Sequence, residues 1–198
     1  MELIANHLVR PDQPLAVELV STVHVRDGAV VDALATPGGL AGWLEVNASR
    51  LGDTGAVDPV AALPRVRALR SAVDRLLRAA IAAGRPDPAD VEAVNAATRA
   101  AAHRELRWPA DGADPAAVDR SPGDATGRLL ARLADDAVAA LTGEHGTLGA
   151  CGGPSCVLLF ARTHPRQAWC SNACGNRARV ARHYRRTRQA VQHRACST

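Results

Sequence analysis

The sequence predicts a mainly α-helical N-terminal domain, with or without a short β-hairpin, followed by a small cysteine-rich C-terminal domain. Hydrophobic residues make up 47% of the 198 residues but aromatic residues only 3%, so the core must consist largely of alanine, leucine and valine. Alanine-rich sequence with few aromatic residues favours helix over sheet. The C-terminal domain is set apart because four of the five cysteines fall within residues 151–174.

Helix-start signals, in which a capping side chain precedes a proline at the first helical position, recur along the N-terminal part. The segment "PLAVELVSTVHV", residues 14–25, is predicted to form the first helix. Thr36-Pro37 opens the second helix, "TPGGLAGWLEVNASRLG". Its apolar face comprises Leu40, Trp43 and Leu44.

Asp58-Pro59 begins a long helical stretch that runs towards Gly84, and we expect the helix to restart at Pro64. The apolar residues of this stretch keep helical spacing. They are Val66, Leu69, Val73, Leu76, Leu77 and Ile81.

Two further helices are predicted before the cysteines. Asp87-Pro88 opens one of them and places Asp90 in its first turn, where a negative charge suits the helix dipole. The other covers 125–141, where leucine and valine recur at helical intervals. Between them the helical pattern fails, and the segment 104–121, rich in Pro, Asp and Gly, is interpreted as a loop or an irregular hairpin.

Charge divides the chain at about the same place as the cysteines. Residues 151–198 contain nine arginines and no acidic residue, and because the whole chain carries +4, the first 150 residues carry −5. An acidic body joined to a strongly basic tail indicates a polyanionic partner for the tail, and the alternative is a disordered solubilising tail. We place the domain boundary near residue 148, giving domains of residues 1–148 and 149–198.

The cysteines follow the spacing C-x4-C-x13-C-x3-C. Two close pairs separated by a loop are typical of a tetrahedral metal site, and four thiolates favour structural zinc. Iron in a rubredoxin-like centre, buried free thiols and disulfides are the alternatives. The predicted ligands are Cys151, Cys156, Cys170 and Cys174, whereas Cys196 fits no partner spacing and is expected to be a free thiol.

The sequence around these cysteines predicts a treble-clef-like zinc finger. "CGGPSC" suits a tight knuckle, "VLLFAR" and "QAWC" are interpreted as two strands of a hairpin joined by the turn "THPR", and Ser171 is placed to cap a following helix. Thiolates in the first turn of that helix are stabilised by its dipole, which favours metal binding.

The motif "CGGPSC…WCSNACGNR" resembles the CGNR zinc-finger family, named for the residues found here at Cys174, Gly175, Asn176 and Arg177. Such fingers end bacterial proteins described as stress-induced transcription regulators, behind a so-called ABATE domain. Residues 15–44 resemble that domain. The resemblance implies a zinc-binding transcription regulator, and we expect the N-terminal domain to sense a small-molecule effector or to mediate formation of a homodimer.

The helix after the last cysteine carries six arginines and no acidic residue. Such a surface predicts contact with DNA, and a protein–protein adaptor that docks an acidic partner is the alternative. An apolar stripe of Val180, Tyr184 and Val191 is expected to pack this helix on the hairpin. The predicted nucleic-acid-binding residues are Arg177, Arg179, Arg182, Arg185, Arg186 and Arg188.

Catalytic signatures are absent from the sequence: we find no phosphate loop, dinucleotide fingerprint or nucleophile elbow, so we expect no enzyme. A small-molecule pocket could be lined by His24, Arg26, Asp27 and Trp43. An enzyme hypothesis would rest on this group alone. The simpler interpretation is a capped helix end before a turn at Gly28. We see no signal peptide and no apolar segment of about 20 residues, so we expect a cytoplasmic protein without membrane contact.

Overall fold

Seven helices and six strands make up the part of the chain that the computed structural model describes, which is residues 10–101, 103–107, 114, 116–120 and 123–195. The elements up to residue 142 are α1 (Leu15–Val20), β1 (Val23–Arg26), β2 (Ala29–Asp32), α2 (Pro37–Val46), α3 (Ala48–Leu51), α4 (Pro59–Ile81), α5 (Pro88–Thr98), β3 (His103–Arg107), β4 (Ala116–Arg120) and α6 (Ala125–Thr142). The remaining elements are β5 (Leu148–Ala150), β6 (Leu159–Ala161) and α7 (Asn172–Ala195). The prediction of a mainly helical N-terminal part with a short hairpin is confirmed.

The first predicted helix, residues 14–25, is only half right, because the chain leaves the helix after Val20 and forms β1. β1 and β2 pair as an antiparallel hairpin whose two turn residues both have positive φ, 50° at Asp27 and 81° at Gly28. Positive φ at both central residues is typical of a type I′ turn, whose twist matches that of the flanking strands, and Asp-Gly is a preferred pair for it. The turn signal and the alternation of valines therefore override the helical periodicity.

The helix α4 contradicts the expected restart at Pro64, since it runs unbroken from Pro59 to Ile81. Pro64 lies in the second turn, where it removes the bond that its nitrogen would have donated to the carbonyl of residue 60 and its ring crowds that carbonyl, at a cost of about 3 kcal/mol. Its neighbours Leu63 and Val66 are buried. Burial of such side chains contributes about 1.5–3 kcal/mol each, so the two together offset this cost.

The predicted caps are confirmed where proline follows the capping residue. The side chain of Thr36 accepts a hydrogen bond from the backbone N–H of Gly39, Asp58 from Val60, and Asp87 from Ala89. Asp90, whose predicted role is to complement the helix dipole, is buried and forms an ion pair with Arg75 at 2.6 Å. Its partner on the preceding helix could not be identified from local spacing.

A single apolar cluster holds the helical part together. It joins α1, α2, α4, α5 and α6, and α1 and α6 are fixed to each other by a hydrogen bond of 2.8 Å from the backbone N–H of Ala16 to Asp136. Its fully buried large side chains include Leu15, Leu19, Leu40, Trp43, Leu77, Leu129 and Leu133. The segment 104–121 contains the antiparallel pair β3 and β4, as the hairpin alternative predicted.

The hairpin of the C-terminal part rests on this cluster through β6. Leu159 belongs to the cluster, the guanidinium of Arg10 donates to the Leu159 carbonyl at 2.8 Å, and the Gln13 side chain accepts from the Ala161 N–H at 2.7 Å. The strand that pairs with β6 is β5, before the first cysteine, so the prediction that "QAWC" forms the return strand is wrong. A boundary at residue 148 falls at the first residue of β5, and the two-domain division stays a prediction.

No helix among the described residues combines the length and the apolar character needed to cross a membrane.

Candidate metal centre and nucleic-acid interface

Four cysteine sulfurs from two loops and the start of α7 come together at one point. Cys156 Sγ lies 3.8 Å from Cys170 Sγ, which lies 3.5 Å from Cys174 Sγ. A tetrahedral ion with metal–sulfur bonds of about 2.3 Å separates neighbouring sulfurs by about 3.8 Å. The four sulfurs, all within 4.8 Å of one another, are those of Cys151, Cys156, Cys170 and Cys174.

The first cysteine pair sits on a tight knuckle that only this local sequence allows. The N–H of Cys156 donates to the carbonyl of Gly153 at 3.1 Å, and Ser155 adopts a positive φ of 58°. A side chain at Gly153 would place its Cβ 3.0 Å from the Cβ of Cys174 and 3.4 Å from the sulfur of Cys151. Glycine is therefore required for the two cysteine pairs to approach each other.

The second pair is positioned by the first turn of α7. The Ser171 hydroxyl accepts a hydrogen bond from the Cys174 N–H at 3.3 Å, which confirms the predicted cap. The N–H of Cys170 donates to the sulfur of Cys151 at 3.3 Å, and the guanidinium of Arg177 donates to the sulfur of Cys174 at 2.9 Å. Both donors stabilise negative charge on sulfur, which is the form that binds metal.

The thiols of the cluster differ in acidity. Burial raises the pKa of Cys174, but hydrogen bonds from Arg177, Ser171 and neighbouring thiols outweigh it and lower the pKa to about 7. Burial raises the pKa of Cys156 to about 11, and burial together with the neighbouring thiols raises the pKa of Cys170 further. A divalent cation resolves this conflict because it allows all four sulfurs to ionise side by side.

The described cysteines are not joined in disulfides, since their sulfurs stand 3.5 Å or more apart where the structure gives the distance. A disulfide needs a sulfur–sulfur bond of about 2.05 Å. The cluster of four thiols, all at least half-buried, has the donor set of a closed structural site. Cys196 lies outside the described residues, so its expected free thiol stays a prediction.

The basic helix α7 exposes its predicted contact residues. Two of these arginines also have contacts within the finger. The guanidinium of Arg177 donates to the sulfur of Cys174, and that of Arg179 donates to the carbonyl oxygen of the Asn176 side chain. All six arginines are exposed: Arg177, Arg179, Arg182, Arg185, Arg186 and Arg188.

The expected apolar stripe does not pack α7 on the hairpin. Val180 is 54% exposed and Tyr184 is 65% exposed, and the side chain of Val191 lies outside the described residues. The buried face of α7 instead comprises Cys174 and Ala178. Beyond Ala178 the described side chains of α7 are almost all exposed, so no surface within the described part of the chain covers the stripe.

The four residues of the candidate effector pocket have different surroundings. Trp43 is buried in the core and His24 is buried on β1, whereas Arg26 and Asp27 are exposed at the tip of the first hairpin. The Nδ1 of His24 and the Nε1 of Trp43 have no hydrogen-bond partner among the described residues. The structure thus does not present the four side chains on one surface, and the pocket stays a prediction.

Sequence reasoning missed the residues that attach the finger to the helical part. Arg10 and Gln13 contact β6 across almost 150 positions of the chain, and Arg78 donates to the carbonyl of Val157 at 3.1 Å. Nothing in their local sequence signals these contacts.

Two family models match the chain, one for each part. The ABATE model, described as "Putative stress-induced transcription regulator", matches residues 13–144, and the CGNR zinc finger model matches residues 147–187. The clustered cysteines of the second match fit zinc binding. A search of curated proteins finds no match.

Proposed function

Because this chain belongs to the ABATE family and ends in a CGNR zinc finger, we propose that it is a zinc-binding transcription regulator whose basic helix contacts DNA. Zinc is held by Cys151, Cys156, Cys170 and Cys174, and its role is structural because four thiolates leave no open coordination position. The ion fixes the first turn of α7 against the knuckle and thereby presents the rest of the helix to solvent.

One observation carries the DNA proposal: the described arginine side chains of α7 are exposed and have no acidic partner among the described residues. Within the described residues no ion pair joins an arginine between 179 and 188 to a carboxylate, whereas Arg70, Arg75 and Arg78 of the helical part each pair with an aspartate. Unpaired guanidinium groups on one helix suit phosphate oxygens or the O6 and N7 of guanine. We assign Arg179, Arg182 and Arg186, at helical intervals, to this contact.

The test is the salt dependence of binding to duplex DNA, measured by fluorescence anisotropy. A helix that engages about four to six phosphates gives a log–log slope of about −4 to −5. The triple replacement of Arg179, Arg182 and Arg186 by Ala is expected to lower affinity and reduce the slope by up to about three.

A matched control removes the same charge from the helical part. Arg65, Arg85 and Arg99 are exposed, and their triple replacement by Ala is expected to leave the slope unchanged. Zinc content is measured in both variants, so that loss of binding reports contact and not unfolding. An α7 variant that keeps its zinc, affinity and slope would rule out this helix as the DNA-binding surface.

The adaptor alternative is favoured by the exposed apolar residues of the same helix. Val180 and Tyr184 lie among the arginines, and a protein partner with acidic and apolar side chains would cover both. The two functions are distinguished by what the protein binds. Capture of an acidic protein that requires Tyr184, without retention of DNA even at low salt, would favour the adaptor.

A further inference from the structure

A groove of about 580 Å³ opens beside the metal centre, between the turn that follows β6 and the start of α7. Its volume falls within the range of about 300–1,000 Å³ that is usual for small-ligand sites. No carboxylate among the described residues lines the groove, which favours an uncharged or anionic occupant. The residues that line it and enter the argument are His164, Gln167, Trp169, Asn172, Gly175 and Arg179.

Trp169 lines the groove and packs closely against α7 at Gly175. Trp169 is half-buried, and a Cβ added to Gly175 would lie 3.3 Å from the ring atom Cε3 and 3.5 Å from Cδ2. The absence of a side chain at Gly175 therefore lets the indole pack closely against α7. An aromatic surface fixed in this way is preorganised for stacking, because little side-chain freedom remains to be lost on binding.

The rim of the groove offers hydrogen-bond donors on a turn that is already ordered. The Nδ1 of His164 accepts from the Arg166 N–H at 3.1 Å, so the proton of the neutral ring lies on Nε2. Gln167 accepts from the Thr163 N–H at 2.9 Å and donates to the Trp169 carbonyl at 3.1 Å, which braces the turn. Arg179 also lines the groove, and one of its guanidinium nitrogens lies 3.8 Å from the position that a Cβ at Gly175 would take.

We propose that this groove holds one unstacked nucleotide of a single-stranded nucleic acid, with its base against Trp169 and its phosphate on Arg179. The proposal rests on the proposed function and states that this groove binds nucleic acid in its single-stranded form. A base inside a duplex has both faces covered by its neighbours, so only an unstacked base can present a face to Trp169. Such stacking tolerates any base, because every base has an aromatic face.

The first arm of the experiment compares two variants of equal charge. Asn172→Glu places a carboxylate at the groove, and an acidic residue in the first turn of a helix is favourable, so the finger is expected to stay folded. Asn95→Glu makes the same change on the exposed face of α5 in the helical part, away from the arginines of α7. Binding of single-stranded oligothymidylate is measured by anisotropy, and Asn172→Glu is expected to weaken it at least fivefold more than Asn95→Glu.

The second arm tests stacking directly. Trp169→Ala is expected to lower affinity for oligothymidylate by roughly 5- to 150-fold, the range that base–aromatic stacking contributes, and Trp169→Phe is expected to retain most of it. Affinity for a duplex of the same length is expected to change little in either variant. Zinc content is measured throughout, and if Trp169→Ala loses zinc, Trp169→Phe and the two glutamate variants decide the question.

Three results would overturn the groove as a nucleotide site. One is unchanged affinity for oligothymidylate in zinc-loaded Trp169→Ala. Another is an equal effect of Asn172→Glu and Asn95→Glu. A third is capture of an acidic peptide that depends on Trp169 and that an excess of oligothymidylate does not displace. Duplex binding that persists in these cases leaves the proposed function standing, whereas failure of the native protein to bind any nucleic acid overturns both proposals.

Discussion

Arginine side chains have opposite surroundings in the helical part and in the zinc finger. In the helical part Arg70 donates two hydrogen bonds to Asp32, at 2.6 and 2.8 Å, and Arg75 pairs with Asp90 in the same way. On α7 the arginines between 179 and 188 have no acidic partner among the described residues. Arginine thus stabilises the fold through ion pairs in the helical part, whereas on α7 it is exposed and unpaired with acidic groups of the described residues.

The two regions also differ in what holds them together. The helical part has a continuous apolar cluster, while the finger buries a short list of residues, led by Leu158, Leu159, Phe160 and Cys174. A domain of about 50 residues seldom gains enough from its core alone and needs a metal or disulfides. The comparison teaches that the helical part depends on packing, whereas the finger depends on its metal and on β6, which the helical part supports.

The largest expected effect separates these two sources of stability. Removal of zinc by a chelator is expected to unfold the knuckle and the first turns of α7, because structural zinc contributes about 10–16 kcal/mol of apparent binding free energy. Amide hydrogen exchange is expected to lose protection around Cys174 and to keep it in α4 and α6. Equal loss of protection in α4 would show that the two regions are one cooperative unit.

A smaller effect is expected from breaking the partly buried ion pair of Arg70 and Asp32. Asp32→Ala leaves the buried guanidinium of Arg70 with the Thr22 hydroxyl as a hydrogen-bond partner but without a counter-charge, which costs about 3 kcal/mol of unfolding free energy. The control Asp74→Ala removes an exposed pair with Arg78 and is expected to cost at most about 1 kcal/mol. Denaturant titration measures both, and zinc content is expected to stay unchanged in both.

The same ion pair carries a pH dependence of stability. The hydrogen bond from Arg70 holds the pKa of Asp32 below its ordinary value of 3.8. A carboxyl group with a lowered pKa stabilises the folded state at neutral pH, and this contribution is lost as the pH falls below the ordinary value. Stability of Asp32→Ala is therefore expected to fall less steeply than that of the native protein on acidification.

The smallest expected effect concerns the contact between Arg177 and Cys174. The guanidinium donates to the Cys174 sulfur at 2.9 Å and stabilises the thiolate that binds the metal. Arg177→Ala is therefore expected to weaken zinc binding by about 10- to 100-fold, the usual effect of removing such a supporting group. Competition with a chromogenic chelator measures the zinc affinity, and Arg188→Ala, which lies about three turns further along α7, is expected to match the native protein.

Local signals explain the parts of the fold that could be predicted from the sequence. Thr36, Asp58 and Asp87 each satisfy a backbone N–H within three residues, so their caps can be recognised without the rest of the molecule. The cysteine spacing similarly predicted which sulfurs meet, since a tetrahedral site constrains the chain on both sides of a short loop.

The parts that could not be predicted depend on contacts distant in the chain. The strand that pairs with β6 lies before the first cysteine, because Arg10 and Gln13 occupy the other edge of β6. Periodicity assigned Val180 and Tyr184 to a packed stripe, but a helix that extends beyond the hairpin has no surface to pack on. Helical spacing reports which residues share a face and not whether a neighbouring element reaches that face.

The claim on which the account depends is that the four clustered thiols hold one structural zinc ion. Elemental analysis of protein purified without chelator tests it, with Cys170→Ser as the variant that removes a ligand and Cys196→Ser as the control that removes a cysteine outside the cluster. The account predicts about one zinc per chain in the native protein and in Cys196→Ser, and its loss in Cys170→Ser. Native protein without zinc, or a Cys170→Ser variant that keeps a full equivalent, would contradict it.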